Sequence, residues 1–150
     1  MRGIVYVSEA QMYFDNMSLE SLAADAGARN FELGVSGYLY FEKDRFVQYV
    51  EGDEDVIDGL MTSIRADVRH RMLHQVVEDN LRTRRFPSWH MRYLSRQELE
   101  SVKLEHVLTD YLMYMDTMKA SAPVDSSNWE TIVWGMVNRL SNKRGRLGFQ

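Results

Sequence analysis

Residues 35–52 read VSGYLYFEKDRFVQYVEG and decide the fold. Two apolar runs rich in β-branched and aromatic residues, Val35–Phe41 and Phe46–Glu51, flank the charged turn Glu42–Arg45. Such runs on either side of a short turn predict a β-hairpin. The Gly-Asp-Glu-Asp that follows at 52–55 breaks the second strand and places acidic residues where a helix would begin. An antiparallel sheet followed by a helix is therefore predicted here.

The segments outside the hairpin alternate between strand-like and helix-like patterns. The β-branched run Gly3–Val7 predicts a buried strand, and two more strands are predicted over Leu73–Arg82 and Trp89–Leu94. A first helix is predicted between a cap at Ser18 and an end at Gly27. A second helix carries its apolar residues on one face: Val56, Ile57, Leu60, Met61, Ile64 and Val68.

This order of elements predicts an α+β fold, a ferredoxin-like sheet of about five strands with two helices on one face. Helical periodicity over Arg96–Lys119, a break at Ala120–Pro123 and capping residues in Asp125–Ser127 then predict a C-terminal two-helix cap. The last helix carries the apolar stripe Trp129, Ile132, Val133, Met136, Val137 and Leu140. We therefore predict two domains, 1–95 and 96–150. Because the cap helices must bury their stripes on the sheet or on another copy, self-association is also predicted.

Composition excludes whole classes of chemistry. The 150 residues carry a net charge of −4, so the chain lacks the basic footprint of a dedicated nucleic-acid binder. The absence of cysteine removes disulfides, thiolate metal sites and thiol nucleophiles, and the four histidines lack metal-ligand spacing. No apolar run has the length of a signal-peptide core or a membrane span, so we expect a cytoplasmic protein without membrane attachment. The common phosphate-binding, dinucleotide-binding, zinc-protease and serine-hydrolase motifs are also missing from the sequence.

Three polar residues stand in segments that otherwise have the composition of buried elements. Tyr6 lies inside the first strand, Gln48 inside the third, and Asn30 just past the first predicted helix. A buried Tyr, Gln or Asn needs hydrogen-bond partners. One interpretation is that all three satisfy loop backbone. The other is that Tyr6 and Gln48, on neighbouring strands, meet beside a ligand held between the two helices.

Five segments between Arg2 and Leu94 follow one another in order and with nearly constant spacing. They are Ile4–Ser8, Arg29–Asn30 with Gly34–Leu39, Phe46–Gly52, Ile64–His70 and Arg85–Met91. Each segment alone is weak, but together and in register they are specific. On these segments the chain resembles the BLUF family, the blue-light sensors that use flavin. Arg29 is a departure, since many members carry an asparagine or a similar group at that position.

The resemblance implies a flavin between the two helices, with FAD expected and FMN or riboflavin as alternatives. It implies that Tyr6 and Gln48 are the photoactive pair. The implied cofactor-binding residues are Tyr6, Leu22, Asn30, Gln48, Ile64, Asp67, Arg69 and His70. Within this set the family uses Asn30 for the carbonyl and imide edge of the ring and Leu22 and Ile64 as its aliphatic flanks. Trp89 and Met91 match the pair that relays the signal.

The implied function is that of a blue-light photoreceptor rather than an enzyme. Light drives electron and proton transfer from Tyr6, the hydrogen bonds of Gln48 rearrange, and the contact with a downstream regulatory protein of unknown identity changes. Only two helices follow the sensor segment, which resembles the short BLUF type that acts on a partner. One alternative is a small flavoprotein oxidoreductase. Another is a ferredoxin-like ligand-binding or assembly domain without a chromophore.

Overall fold

The computed structural model describes residues 1–106, 108–110, 112–113 and 126–147, with side chains from 130 onward in the last range. It divides into two compact units, Met1–Leu94 and Ser95–Gln150. The elements of the first unit are β1 (Arg2–Ala10), α1 (Asn16–Leu33), β2 (Ser36–Glu42), β3 (Arg45–Gly52), α2 (Glu54–Ala66), β4 (His70–Glu78) and β5 (Arg92–Leu94). The second unit contains α3 (Arg96–Ser101), α4 (Ser126–Lys143) and the 3₁₀ turn Arg144–Arg146.

One sheet organises the first unit. Over the described residues it has five strands in the order β4-β1-β3-β2-β5, with antiparallel pairs except for the parallel pair of β2 with β5. Both helices pack on the same face, because their apolar residues share one core with alternate residues of the strands. From the helices this core takes Leu19, Ala23, Ile57, Leu60, Met61 and Ile64, and from the sheet Ile4, Tyr6, Leu39 and Val50. The predicted α+β class and the placement of the two helices are confirmed.

Helix α1 differs from its prediction at both ends. Asp15, not Ser18, is the N-cap: the Asp15 carboxylate accepts the backbone N–H of Ser18 at 2.7 Å, and the Ser18 hydroxyl accepts the N–H of Asp15 at 2.8 Å. This reciprocal capping box lowers the pKa of Asp15, chiefly through the backbone N–H of Ser18. The helix runs through Gly27 and ends at Gly34, whose left-handed φ of 67° suits glycine. An isolated glycine weakens a helix without ending it.

The end of α2 and the bounds of β4 and β5 also differ from the predictions. Helix α2 ends at Ala66 because Asp67 leaves the helical conformation at ψ 115°, so Val68 is 87% exposed instead of lying on the apolar face. Strand β4 starts at His70, three residues earlier than predicted, because its first residues pair with the end of β1. Strand β5 is limited to Arg92–Leu94, where β2 provides a parallel partner.

In the second unit, the single helix predicted over Arg96–Lys119 is interrupted. Helix α3 ends at Ser101, Lys103 takes a left-handed φ of 59°, and the N–H of Leu104 bonds the carbonyl of Leu99. Residues 105–106, 108–110 and 112–113 are helical again. The predicted break at Ala120–Pro123 lies outside the described residues, as do Asp125 and the side chains of Ser126, Ser127 and Trp129. On α4, Val133, Met136, Val137 and Leu140 are buried as predicted, while Ile132 is 51% exposed.

No helix among the described residues is long and apolar enough to cross a membrane.

Gly37 allows β2 and β3 to come together where a side chain would not fit. A Cβ placed on Gly37 would lie 1.8 Å from the backbone oxygen of Tyr49 and 3.2 Å from the Cα of Val50. The neighbours are backbone atoms, which cannot rotate away. The N–H of Gly37 also bonds the carbonyl of Trp89 at 2.6 Å, so this glycine ties the hairpin to the segment that leads into β5.

We expect Gly37→Ala to lower the free energy of unfolding by about 3 kcal/mol or more, because the added methyl group forces a backbone shift. The matched control is Gly59→Ala, in the exposed interior of α2, where nothing lies within 4 Å of the new Cβ. That control should raise stability by about 0.5–1 kcal/mol through helix propensity. Denaturant unfolding of both variants checks the pair. Equal stabilities of Gly37→Ala and the wild type would refute the steric argument.

Candidate functional site

A cleft opens between α1, α2 and the helix-covered face of the sheet. Its volume is about 810 Å³, the solvent-open mouth included. Apolar side chains from both helices and from the sheet face polar ones across it. The lining residues are Tyr6, Phe14, Leu22, Asp25, Ala26, Arg29, Leu39, Phe46, Gln48, Ser63, Ile64, Asp67, Arg69 and His70.

Tyr6 and Gln48 form the floor of the cleft. The β1–β3 register places them directly opposite each other, and the β2–β3 register places Leu39 opposite Gln48. Directly opposed residues on antiparallel strands share a face with their Cβ atoms ~5 Å apart. Tyr6 is 3% and Gln48 8% exposed. The structure thus places the two residues opposite each other, in agreement with the second of the two interpretations of the sequence.

The Tyr6 hydroxyl holds its proton tightly. Burial raises the pKa of Tyr6 well above its usual value; the positive charge of Arg29 opposes this rise, and the negative charge of Asp67 adds to it. Removing the phenol from water disfavours the charged phenolate. Tyr6 is therefore a neutral phenol at neutral pH.

Gln48 connects the cleft to the segment before β5. Its Nε2 donates to the sulfur of Met91 at 3.2 Å, a contact between two buried side chains. Trp89 occupies different surroundings: its ring stacks on Phe86 at 5.0 Å, and the guanidinium of Arg92 lies 4.9 Å from its centre. Phe86 contacts Tyr38 and Tyr49, which alternate with Leu39 and Gln48 and so face the other side of the sheet. Of the two predicted relay residues, Met91 is the one against Gln48.

Asn30 has a polar side chain without a hydrogen bond in the described part of the chain. It is fully buried on α1, one turn beyond the cleft residue Ala26, and both its amide nitrogen and its amide oxygen lack partners there. Asn30 itself is outside the set of lining residues. A buried amide left unsatisfied costs about 1–3 kcal/mol, so the free protein carries a penalty that a ligand with both a donor and an acceptor would remove.

Asp67 and Arg69 form an ion pair at the cleft. The Nη2 of Arg69 lies 2.6 Å from Asp67, and its Nε and backbone N–H donate to the same carboxylate. The side-chain hydrogen bond from Arg69 is the main reason that the pKa of Asp67 falls to about 2. Asp67 is thus ionised over the whole physiological pH range, and the Arg69 guanidinium uses part of its hydrogen-bonding capacity in this ion pair.

His70 is fixed by two internal hydrogen bonds. Its Nδ1 lies 2.7 Å from the hydroxyl of Ser8, and its Nε2 lies 2.6 Å from the carbonyl of Ile64. Since a carbonyl can only accept, Nε2 carries a hydrogen. Both ring nitrogens are committed, and the ring contacts Tyr6 edge-on at 6.3 Å. His70 therefore contributes a ring surface to the cleft rather than a hydrogen bond.

Sequence reasoning missed several lining residues, chiefly Asp25 and Arg29. Both follow Leu22 at helical spacing: Asp25 lies within the predicted helix, and Arg29 falls on the same face once α1 continues past Gly27. The side chain of Arg29 makes no hydrogen bond or ion pair among the described residues, in contrast to that of Arg69. Phe14, Leu39, Phe46 and Ser63 were missed because their side chains carry no signal beyond a core or surface pattern.

The cleft fits a flat heteroaromatic ring with a polar edge. Leu22 and Ile64 approach from the two helices, and Gln48 offers a donor and an acceptor at the floor. Asn30 does not line the cleft, but its partnerless amide, one turn beyond Ala26, has the donor and the acceptor that a carbonyl next to an imide N–H would satisfy. This donor and acceptor set matches the edge of a flavin.

Comparison with known proteins agrees with a flavin site. The family model described as "BLUF: Sensors of blue-light using FAD" matches residues 1–92. The photoactivated adenylate cyclase subunit beta of Euglena gracilis is 35% identical over 74 residues, which are 49% of this chain and 9% of that protein. The chain thus spans less than a tenth of the length of the curated relatives it matches.

Solved structures share the fold. The dark-state structure of the BLUF protein BlrB is 26% identical, with a TM-score of 0.68 and coverage of 95% of this chain and 96% of that one. A bacterial light-regulated adenylyl cyclase superposes with a TM-score of 0.70 over 81% of this chain and 37% of its own; at 21% identity this shows the fold alone. The matched segment is a flavin-binding sensor and not a catalytic domain. The chain belongs to the BLUF family of blue-light sensors that use FAD.

Proposed function

We propose that Tyr6 and Gln48 are the photoactive pair of this sensor and that the light signal changes its contact with a separate regulatory protein. The observation that carries the first part is the cross-strand pairing of a buried neutral tyrosine with a glutamine whose amide also reaches Met91. Tyrosine supplies the electron and proton, and glutamine supplies a side chain that can reverse its hydrogen bonds.

Residues from three elements, α1, α2 and β3, would hold the flavin. Leu22 of α1 and Ile64 of α2 would flank the ring, and the amides of Asn30 and Gln48 would bind its polar edge. Arg29, whose guanidinium has no protein partner among the described residues, is suited to a carbonyl or phosphate oxygen. When bound, the flavin supplies absorption of blue light and, once excited, a strong oxidant.

Tyr6 would donate an electron to the excited flavin, and its hydroxyl proton would follow to the flavin by way of the Gln48 amide, which has an acceptor end and a donor end. A phenol with a raised pKa becomes strongly acidic only after it is oxidised, so the two transfers are coupled. Gln48 would reverse its amide by rotation or tautomerisation, exchanging a donor for an acceptor without moving β3. Because Nε2 donates to Met91 in the structure, the reversal breaks that contact. Met91 would then report the state of the cleft to β5.

The output would lie with residues 96–150, the segment that directly follows β5. Met91 is one residue before β5, and α3 begins two residues after it, so the route is one of chain adjacency. The curated relatives named photoactivated adenylate cyclase carry their sensor within a much longer protein. For residues 1–150 we propose a non-catalytic sensor; the oxidoreductase alternative lacks a dinucleotide fingerprint in the sequence. A cytoplasmic location and self-association stay predictions.

Tyr6→Phe and Gln48→Leu should each retain flavin but lose the small reversible red shift of flavin absorption under blue light. Phenylalanine lacks the transferable proton, and leucine lacks both ends of the amide. Difference absorption spectra in light and dark measure the shift. Tyr13→Phe, at a tyrosine that is 82% exposed, is the matched control and should behave as the wild type. A normal red shift in either cleft variant would overturn the roles assigned to Tyr6 and Gln48. A wild-type protein that cannot be reconstituted with flavin would overturn the proposed photoreceptor function.

Asn30→Leu should change stability and affinity in opposite directions. Leucine has a similar size and removes the unsatisfied amide, so the flavin-free protein should be as stable as the wild type or more stable. Loss of two hydrogen bonds to the ring edge should weaken FAD binding by roughly 10- to 100-fold. Thermal melts without FAD and a fluorescence titration with FAD test both signs. Unchanged affinity together with a less stable apoprotein would show that Asn30 is structural only.

The partner should distinguish illuminated from dark protein. We expect a pull-down from an extract of the source cells, coupled to size measurement, to retain a partner in one illumination state and release it in the other. Gln48→Leu is the control, because it should bind flavin yet give the same result in light and dark. If wild-type protein gives identical partners and identical masses under both conditions, partner release is not the output.

A further inference from the structure

Glu51 is a fully buried carboxylate on the face of the sheet opposite the cleft. It lies three residues after Gln48 on β3, so the alternation of the strand directs the two side chains to opposite faces. Four donors surround it. Oε1 accepts the hydroxyl of Ser36 at 2.9 Å and the N–H of Phe86 at 2.8 Å. Oε2 accepts the hydroxyl of Tyr49 at 2.7 Å and the N–H of Arg85 at 2.9 Å.

Two guanidinium groups reach Glu51 through its hydroxyl partners. Arg84 donates to the Ser36 hydroxyl at 3.1 Å, and Arg85, which also forms an ion pair with Glu78 at 2.7 Å, donates to the Tyr49 hydroxyl at 3.1 Å. Each hydroxyl donates a hydrogen bond to the carboxylate and accepts one from a guanidinium. A buried charge is tolerated when it is fully hydrogen-bonded and compensated in this way.

Two of the four donors are backbone groups of the segment that leads to Met91. Two further contacts hold this segment. The N–H of Trp89 donates to the Phe86 carbonyl at 3.1 Å, and the rings of Phe86 and Trp89 stack on each other. The carbonyl of Trp89 then accepts the N–H of Gly37. Met91 follows two residues later against Gln48. Residues 85–91 therefore run from Glu51 on one side of β3 to Gln48 on the other.

We propose that Glu51 is a positioning residue that sets Met91 against Gln48 by anchoring residues 85–91, an inference that rests on the proposed switching role of Gln48. Strand β3 then holds both ends of the connection. No isosteric amide can replace the carboxylate. Whichever oxygen became NH₂, the N–H of Arg85 or Phe86 would face another donor.

Glu51→Gln tests the proposal by two readouts that need no light. We expect the amides of Arg85 and Phe86 to exchange with deuterium roughly tenfold faster, and the NMR signal of the ¹³C-labelled Met91 methyl group to move. The dark-recovery rate of the red-shifted state should also change several-fold. Two matched controls should leave the Met91 signal in place: Glu20→Gln, at an exposed glutamate of α1, and Ser36→Ala, which keeps both backbone bonds to Glu51.

Faster exchange at Arg85 and Phe86 with an unmoved Met91 signal would overturn the proposal, since Glu51 would then be a structural anchor only. If Glu51→Gln does not fold, amide exchange in the wild-type protein still tests the proposal. Its Arg85 and Phe86 amides must be among the slowest to exchange between β4 and β5, and rapid exchange there would equally overturn the proposal. A wild type without a red shift would contradict the proposed function while leaving the exchange and NMR readouts to judge the anchor.

Discussion

The pairing of β1 with β3 in one register is the constraint on which the rest of this molecule depends. In this register Tyr6 lies opposite Gln48 on the helix-covered face, and Val5 and Tyr49 are paired on the other face. A slip of one residue would reverse every side chain and bring the phenol out of the cleft. The register is held by apolar residues on both faces, including Ile4 and Val50 toward the helices and Val7 and Val47 away from them. The geometry of the proposed photoactive pair is therefore a property of the whole sheet.

Strand β3 serves two faces with two kinds of polar residue. Gln48 is neutral and has a changeable hydrogen-bond pattern, whereas Glu51 is charged and has every oxygen position filled by donors. A side chain that must switch needs few competing bonds, and one that must hold a loop needs many. The alternation of a β-strand separates these opposite requirements by the thickness of one sheet.

Much of this arrangement could be predicted from the sequence, for physical reasons that also explain the failures. The hairpin and the β1 strand have strong local patterns, and Tyr6 and Gln48 stand out because they are polar residues in apolar strands. Helix α1 was misplaced because Ser18 is the reciprocal partner in a cap made by Asp15, and glycine at 27 has the same local signal as glycine at 34. The internal partners of Arg69 and His70 depend on how the chain leaves α2, which no periodicity encodes. The connection from Glu51 to residues 85 and 86 is a long-range contact of the same kind.

Strand β5 is short and lies at the edge of the sheet, next to Met91. It has three residues, has β2 as its one partner among the described strands, and begins directly after Met91. A ladder of this length contributes few of the hydrogen bonds of the sheet, so its local opening costs only part of the free energy of global unfolding. The edge of the sheet next to the contact from Gln48 is thus also the part that the shortest ladder holds, while the four longer strands carry the cleft.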